Sequence, residues 1–274
     1  MRASGDRSPL APPNRTAADG VGSHVEPGVK TLLPFIALAL PAAIAADTPR
    51  RWTLDVEGGA RWNGLNEAAI PGDGGTRFDL RGLTGSGARL SARFTLTYRT
   101  SSGPEWRVLV SPLRLSGVGE LDQPVDFEGV RFAPGVPTRG AYRFDSYRVT
   151  YRNRFRTRPG SNWRVGATLK LRSAEIGLSQ GGLGATKTDL GIVPLLHLFG
   201  EERLGGPWSF VFELDGAWAP QGRAIDAAIK LRYAHSEQLA TLIGLRLLDG
   251  GADNASVYTF ARFETLFAGI QFRF

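Results

Sequence analysis

From Trp52 onward the chain alternates apolar and polar residues with a period of two, in stretch after stretch. Trp52, Leu54, Val56, Gly58, Ala60 and Trp62 share one side; Thr53, Asp55, Glu57, Gly59 and Arg61 share the other. The pattern returns at Leu90–Tyr98, Trp163–Leu171, Trp208–Trp218 and Ile225–Tyr233. A period of two is that of a strand with two unlike faces, whereas a helix repeats every 3.6 residues. No convincing helical period interrupts it, so the chain reads as all-β.

Ten such segments stand out: 51–63, 88–100, 106–117, 139–155, 163–178, 188–202, 208–218, 224–234, 238–248 and 257–274. Eight or twelve strands satisfy the same even parity. The stretch 76–83 reads as a further strand extension. Short turns (101–105, 156–162, 203–207, 234–238) alternate with longer connections (64–87, 117–139, 179–188, 219–223, 249–256). A meander with tight turns on one side and longer loops on the other is the layout of a transmembrane barrel. Pro112 and Pro194 fall inside strands, where proline ordinarily marks a bulge. The apolar phase changes after Pro112, so a bulge is expected there.

The aromatic residues sit at two levels. Trp52, Trp106, Trp163 and Trp208 open strands beside short turns; Tyr98, Tyr151 and Tyr233 close strands that run into them. Trp62 and Trp218 come ten residues further along their strands. A tilted strand crosses the hydrocarbon core in about 9–11 residues, and amphipathic rings settle at both membrane interfaces. The expected fold is therefore a transmembrane antiparallel up-and-down β-barrel of about ten strands. Closure follows from the solvent, because hydrocarbon leaves no partner for an open sheet edge.

Residues 31–46 form the one solidly apolar block. Lys30 precedes it, and Ala43-Ile44-Ala45 ends it as a small-x-small cleavage site. This reads as a secretory signal peptide over 29–45. Residues 1–28 are polar and aperiodic, so translation is expected to start at Val29, with the barrel domain over 46–274. The net charge of +7 would suit nucleic acid in a cytoplasmic chain; for an exported one, acidic lipid headgroups fit better and no nucleic-acid partner is expected.

With the apolar faces turned to lipid, the polar faces turn inward. The basic side of the lumen is expected to carry Arg89, Arg93, Arg148, Arg152, Arg164, Lys170 and Arg172, with Arg107 beside them. The acidic side carries Asp55, Glu57, Glu213, Asp215 and Asp226, interspersed with Arg61, Lys230 and Arg232. About eight strands make a barrel that its own side chains just fill. Ten leave little more room, so these charges either plug the barrel as ion pairs or line a narrow, anion-leaning pore.

Signals for catalysis are sparse. The absence of Cys removes thiol nucleophiles and Cys-based zinc sites. The motif Gly177-Leu178-Ser179-Gln180-Gly181 has the spacing of a nucleophile elbow, but that elbow needs a helix after it and a Gly-rich stretch follows. His197 and His235 fall in a lower strand half and in a tight turn, neither near Ser179. Asp249, Asp253 and Asn254 are too few oxygen ligands for a calcium site. No cofactor and no metal are expected.

The closing strand carries the most specific likeness. Phe274, Phe272, Ile270, Ala268 and Leu266 alternate up to a terminal aromatic. In this, and in its strand pattern, the chain resembles Gram-negative outer-membrane β-barrel proteins. The resemblance implies outer-membrane localisation, a bilayer with lipopolysaccharide around the barrel, and recognition of Phe272 and Phe274 by the barrel assembly machinery. The function expected is a structural or interaction protein or a narrow channel, the alternative being an enzyme that modifies lipid A or phospholipid.

Overall fold

A computed structural model describes residues 50–274; the expected leader (1–28) and signal peptide (29–45) lie outside the described residues. Ten staves form one closed antiparallel barrel. They are β1 (Trp52–Ala69), β3 (Arg89–Arg99), β4 (Glu105–Ser111) continued by β5 (Arg114–Gly119), β8 (Thr138–Arg158) and β9 (Ser161–Gln180). The second half is β10 (Leu183–Gly205), β11 (Trp208–Ala219), β12 (Gly222–Ala234), β13 (Leu239–Asn254) and β14 (Val257–Arg273). Closure runs between β1 and β14, from Thr53 opposite Arg273 to Ala69 opposite Tyr258. Trp52 and Phe274 fasten the seam by exchanging backbone hydrogen bonds of 2.9 and 3.0 Å.

The outer surface is the apolar one. Leu169, Ile192, Leu196, Ile243 and Ile270 all stand exposed, as a lipid-facing surface requires. The lower aromatic belt forms by cross-strand pairing: Trp52 meets Tyr98 at 4.7 Å, Trp106 meets Tyr151 at 5.0 Å and Trp208 meets Tyr233 at 4.7 Å between ring centres. Trp163 lies over Gly200, where a Cβ would meet its ring at 2.8 Å, and donates its indole N–H to Glu202 at 2.5 Å. Trp62 and Trp218 also point outward, higher on the wall.

Several connections depart from the sequence expectation. The stretches 179–188, 219–223 and 249–256 are not long loops. Strands run through them to two-residue turns at 181–182, 220–221 and 255–256. These stretches are rich in Gly, Ala and polar residues, so no clear alternation marks them. The Asn254 Oδ1 accepts the backbone N–H groups of Ser256 and Val257 and fixes the turn. Two longer connections remain, and they fold together as a cap. It comprises β2 (Phe78–Asp79), the single helical turn α1 (Arg81–Thr84), and the hairpin of β6 (Val125–Phe127) and β7 (Val130–Phe132). Of the expected strand 76–83, only Phe78 and Asp79 join the ladder, opposite Ala68 and Glu67. The chain then turns inward, and Leu83 seats against Gly140, where a Cβ would meet its Cβ at 2.7 Å. Arg81 donates to Asp79 at 2.8 Å, and that hydrogen bond raises the pKa of the guanidinium.

The cap also corrects the reading of Pro112. No bulge is present: Ser111 lies opposite Ser146 and Arg114 opposite Arg143, three residues on along each strand. The apolar phase changes because the barrel's contents change. Below Pro112 the interior is ionic; above it, Leu113 and Leu115 point inward against Leu83, Phe127, Phe132 and Phe263. Pro194 likewise sits in unbroken register with β9, opposite Leu169. It lies just beyond the last residue of β10 paired to β11, Leu196, so the missing N–H belongs to an edge.

The break at Pro112 is closed by a side chain. Asp145 accepts the Leu113 N–H at 3.1 Å and pairs with Arg114 at 3.1 Å. Asp145→Ala leaves that buried N–H without an acceptor, a cost of about 1–3 kcal/mol. Urea unfolding of the refolded barrel should show the loss, and an unchanged midpoint would mean the cap does not depend on this residue.

Candidate functional site

The strand pleat sends every second residue into the lumen, and at mid-height those residues are charged. Arg93 on β3 reaches Asp226 on β12 at 3.0 Å. Arg148 on β8 reaches both Asp215 at 2.7 Å and Asp226 at 2.6 Å. Arg107 on β4 meets Glu213 on β11 at 3.0 Å. Lys230 joins Glu57 at 2.6 Å and Glu213 at 2.9 Å. Arg246 on β13 holds Glu57 and Asp226, each at 2.8 Å. The basic and acidic walls thus face each other and knit across the lumen, leaving these side chains almost wholly buried.

A second cluster closes the end beside the short turns. Glu105 receives Arg152 at 2.8 Å and Arg164 at 3.1 Å, with Arg99 at 2.9 Å on its outer side. His197 bridges the two clusters. Its Nδ1 lies 2.8 Å from Asp215, and its Nε2 lies 3.4 Å from both Arg107 and Arg152. Thr168 donates to the same Asp215 oxygen at 2.8 Å. Asp55 and Arg232 both meet Gln271, at 2.8 and 2.9 Å, beneath the lattice. A polar cavity of only about 60 Å³ remains there.

Arg89, Arg172 and Arg61, all expected in the lumen, stand apart from the lattice, as does Lys170, whose Nζ rests over the Phe144 ring. Arg89 is exposed at the top of β3 and donates to the Thr84 carbonyl at 3.3 Å. β3 begins four residues above Arg93, its lattice residue, so its first residue belongs to the rim and not to the lumen. Arg172 pairs with Asp189 in the outer mouth. Arg61 is buried near the cap, donating to Thr265 at 3.5 Å and to the Pro112 carbonyl at 3.4 Å. Sequence reading missed Glu105, Arg246 and the bridging place of His197. Parity alone would have flagged Arg246, which shares the inward side with Leu242 and Gly244.

No Ser–His pair forms among the described residues. Ser179 faces outward near the tip of the β9–β10 hairpin, whereas His197 lies deep inside. Gly181, the last residue of the motif, has φ +57° and opens a two-residue turn into β10, so the strand-to-helix elbow is not built. His235 lies in the turn before β13, its Nε2 2.6 Å from Thr241.

An apolar exterior, two aromatic levels, a charged interior and a closed antiparallel ladder together give the outer-membrane β-barrel fold. No family model matches the chain, and no curated protein does. Among solved structures it overlaps with the outer-membrane protease OmpT of Escherichia coli at 10% identity, covering 83% of this chain and 98% of that one, with a TM-score of 0.45. Neisserial surface protein A overlaps at 14% identity (81% and 97%, TM-score 0.32), and the Pseudomonas putida toluene transporter TodX at 7% (83% and 90%, TM-score 0.35). Overlaps this loose transfer no role to this chain.

Proposed function

We propose that the chain is a non-conducting outer-membrane barrel of a Gram-negative bacterium, exported by the segment 29–45, with a structural or interaction role exercised at its outer mouth. The observation that carries the reading is the ion-pair lattice at mid-lumen. A conducting pore needs charged groups that ions can reach; here Arg93, Arg107, Arg148 and Arg246 each spend their donors on carboxylates across the barrel. The cap adds an apolar layer above, built on Phe127, Phe132 and Phe263. Lipopolysaccharide and phospholipid are the surroundings that the exposed apolar belt fits. The barrel assembly machinery is the proposed reader of Phe272 and Phe274, which stack at 5.8 Å at the end of the closing strand.

Planar-bilayer recording tests this directly. Purified protein should give no steady single-channel steps at moderate voltage. Regular steps of constant size with anion preference would replace the reading with that of a narrow channel.

A further inference from the structure

Beside the cap, above the ion-pair lattice, lies a cavity of about 460 Å³, within the range of about 300–1,000 Å³ common for small-molecule sites. Its walls are mostly apolar, with Tyr142, Phe144, Ile176, Leu195 and Phe263 among them. The charged residues around it are almost all engaged. Arg148 holds Asp215 and Asp226, Arg172 pairs with Asp189, Lys187 with Glu128, Arg143 with Glu175, and Arg223 with Asp249. Lys170 is the exception. It lines the cavity, is only 3% exposed, and forms no ion pair or hydrogen bond among the described residues. Its Nζ rests 4.5 Å above the Phe144 ring. A buried ammonium without a counter-charge is costly, and this one faces open space.

The cavity also has a side opening. β10 pairs with β11 only up to Leu196 opposite Gly216. Above that level β10 runs on to Leu183, whereas β11 stops at Ala219 and β12 begins at Gly222. The β10 edge from Leu195 upward therefore has no partner on that side, while its outward Ile192 and Leu190 present apolar surface to lipid. At hydrocarbon depth an unpaired edge is tolerated where it lines a cavity. Trp218, 79% exposed at the upper aromatic level, stands at the rim of this notch.

We infer that the cavity takes one long-chain fatty carboxylate from the outer leaflet, through the notch between β10 and the β11–β12 hairpin, with the headgroup on Lys170 Nζ and the chain along the apolar walls. One free cation matches one negative charge. Asp215 and Asp226 on the same floor disfavour the higher charge of a phosphate. The site lies above the lattice, so it goes beyond the reading of a closed barrel and does not depend on it.

Equilibrium dialysis of radiolabelled palmitate against the protein folded in dodecyl maltoside micelles reads the binding. Saturable binding near one per chain is expected. Lys170→Met should weaken it at least about tenfold, the scale of one charge-assisted hydrogen bond, whereas Lys170→Arg should retain it. Ala224→Trp, which fills the cavity wall, should abolish it. Heat-modifiable gel migration verifies that each variant is folded. Should Lys170→Met fail to fold, methyl palmitate competes on the unaltered protein, and its failure to displace palmitate supports the same contact. Non-saturable uptake, full binding by folded Lys170→Met, or lysophosphatidate displacing palmitate more effectively than palmitate itself would overturn the assignment.

Discussion

Arg246→Met should destabilise the barrel by about 3–5 kcal/mol, the usual cost of removing one partner from a buried ion pair. Arg246 holds Glu57 and Asp226 at 2.8 Å each and stands 3.9 Å from Glu213. Its guanidinium also lies 5.4 Å from the centre of the Phe267 ring. Methionine keeps most of the packing and removes the charge. Glu57 then retains only Lys230, and Asp226 retains Arg93 and Arg148. Urea unfolding followed by tryptophan fluorescence measures the loss. A shift under about 1 kcal/mol would mean that water already reaches these carboxylates and screens them as it does surface pairs.

The double variant separates charge from packing. Combining Arg246→Met with Glu57→Gln removes one of the orphaned charges, so it should recover part of the loss. A coupling of about 0.5–3 kcal/mol is the range for residues in one network. The lattice need not make the barrel more stable than an apolar filling would, because desolvation offsets much of the attraction between buried charges. What it does supply is register. Arg93 meets Asp226, Arg107 meets Glu213 and Arg148 meets Asp215, and a strand slipped by one residue would turn each of these charges into the lipid.

That dependence on register explains what the sequence made legible. Alternation is local, so the inward and outward sides of β1, β9, β11 and β12 could be read residue by residue. The aromatic levels followed, because each belt is fixed by distance along a single strand. Which cation meets which anion depends on the stagger between strands, and no local pattern carries it. Glu105 illustrates the limit: it stands alone before Trp106, and only the closed barrel brings Arg152 and Arg164 to it. Pro112 misled for a related reason. A change of apolar phase looks the same whether the strand bulges or its surroundings change, and here the surroundings changed from ions to the cap. The notch beside Lys170 was equally hidden, since it arises from unequal lengths of β10 and β11 above a shared register.

The seam gives the sharpest contrast between neighbouring residues. Gly59→Val should prevent or severely impair closure, with a destabilisation of about 3 kcal/mol or more, at the top of the range for overpacking. Gly58→Val, one residue earlier, should be neutral or stabilising by up to about 1 kcal/mol, because valine suits a pleated strand better than glycine. The two positions differ in what lies around them. A Cβ on Gly59 would stand 2.1 Å from the Leu266 carbonyl oxygen and 2.6 Å from the Phe267 Cα. Both atoms are backbone of β14, paired to β1 in the closing ladder, so neither can move without opening the seam. A Cβ on Gly58 would meet nothing closer than the Ser91 carbonyl oxygen at 3.8 Å, and it would point outward to lipid. Loss of the heat-modifiable folded band for Gly59→Val, with that band kept for Gly58→Val, is the expected outcome. A folded Gly59→Val with an unchanged urea midpoint would show that β14 does not approach β1 this closely, and the closing register from Thr53–Arg273 to Ala69–Tyr258 would have to be redrawn.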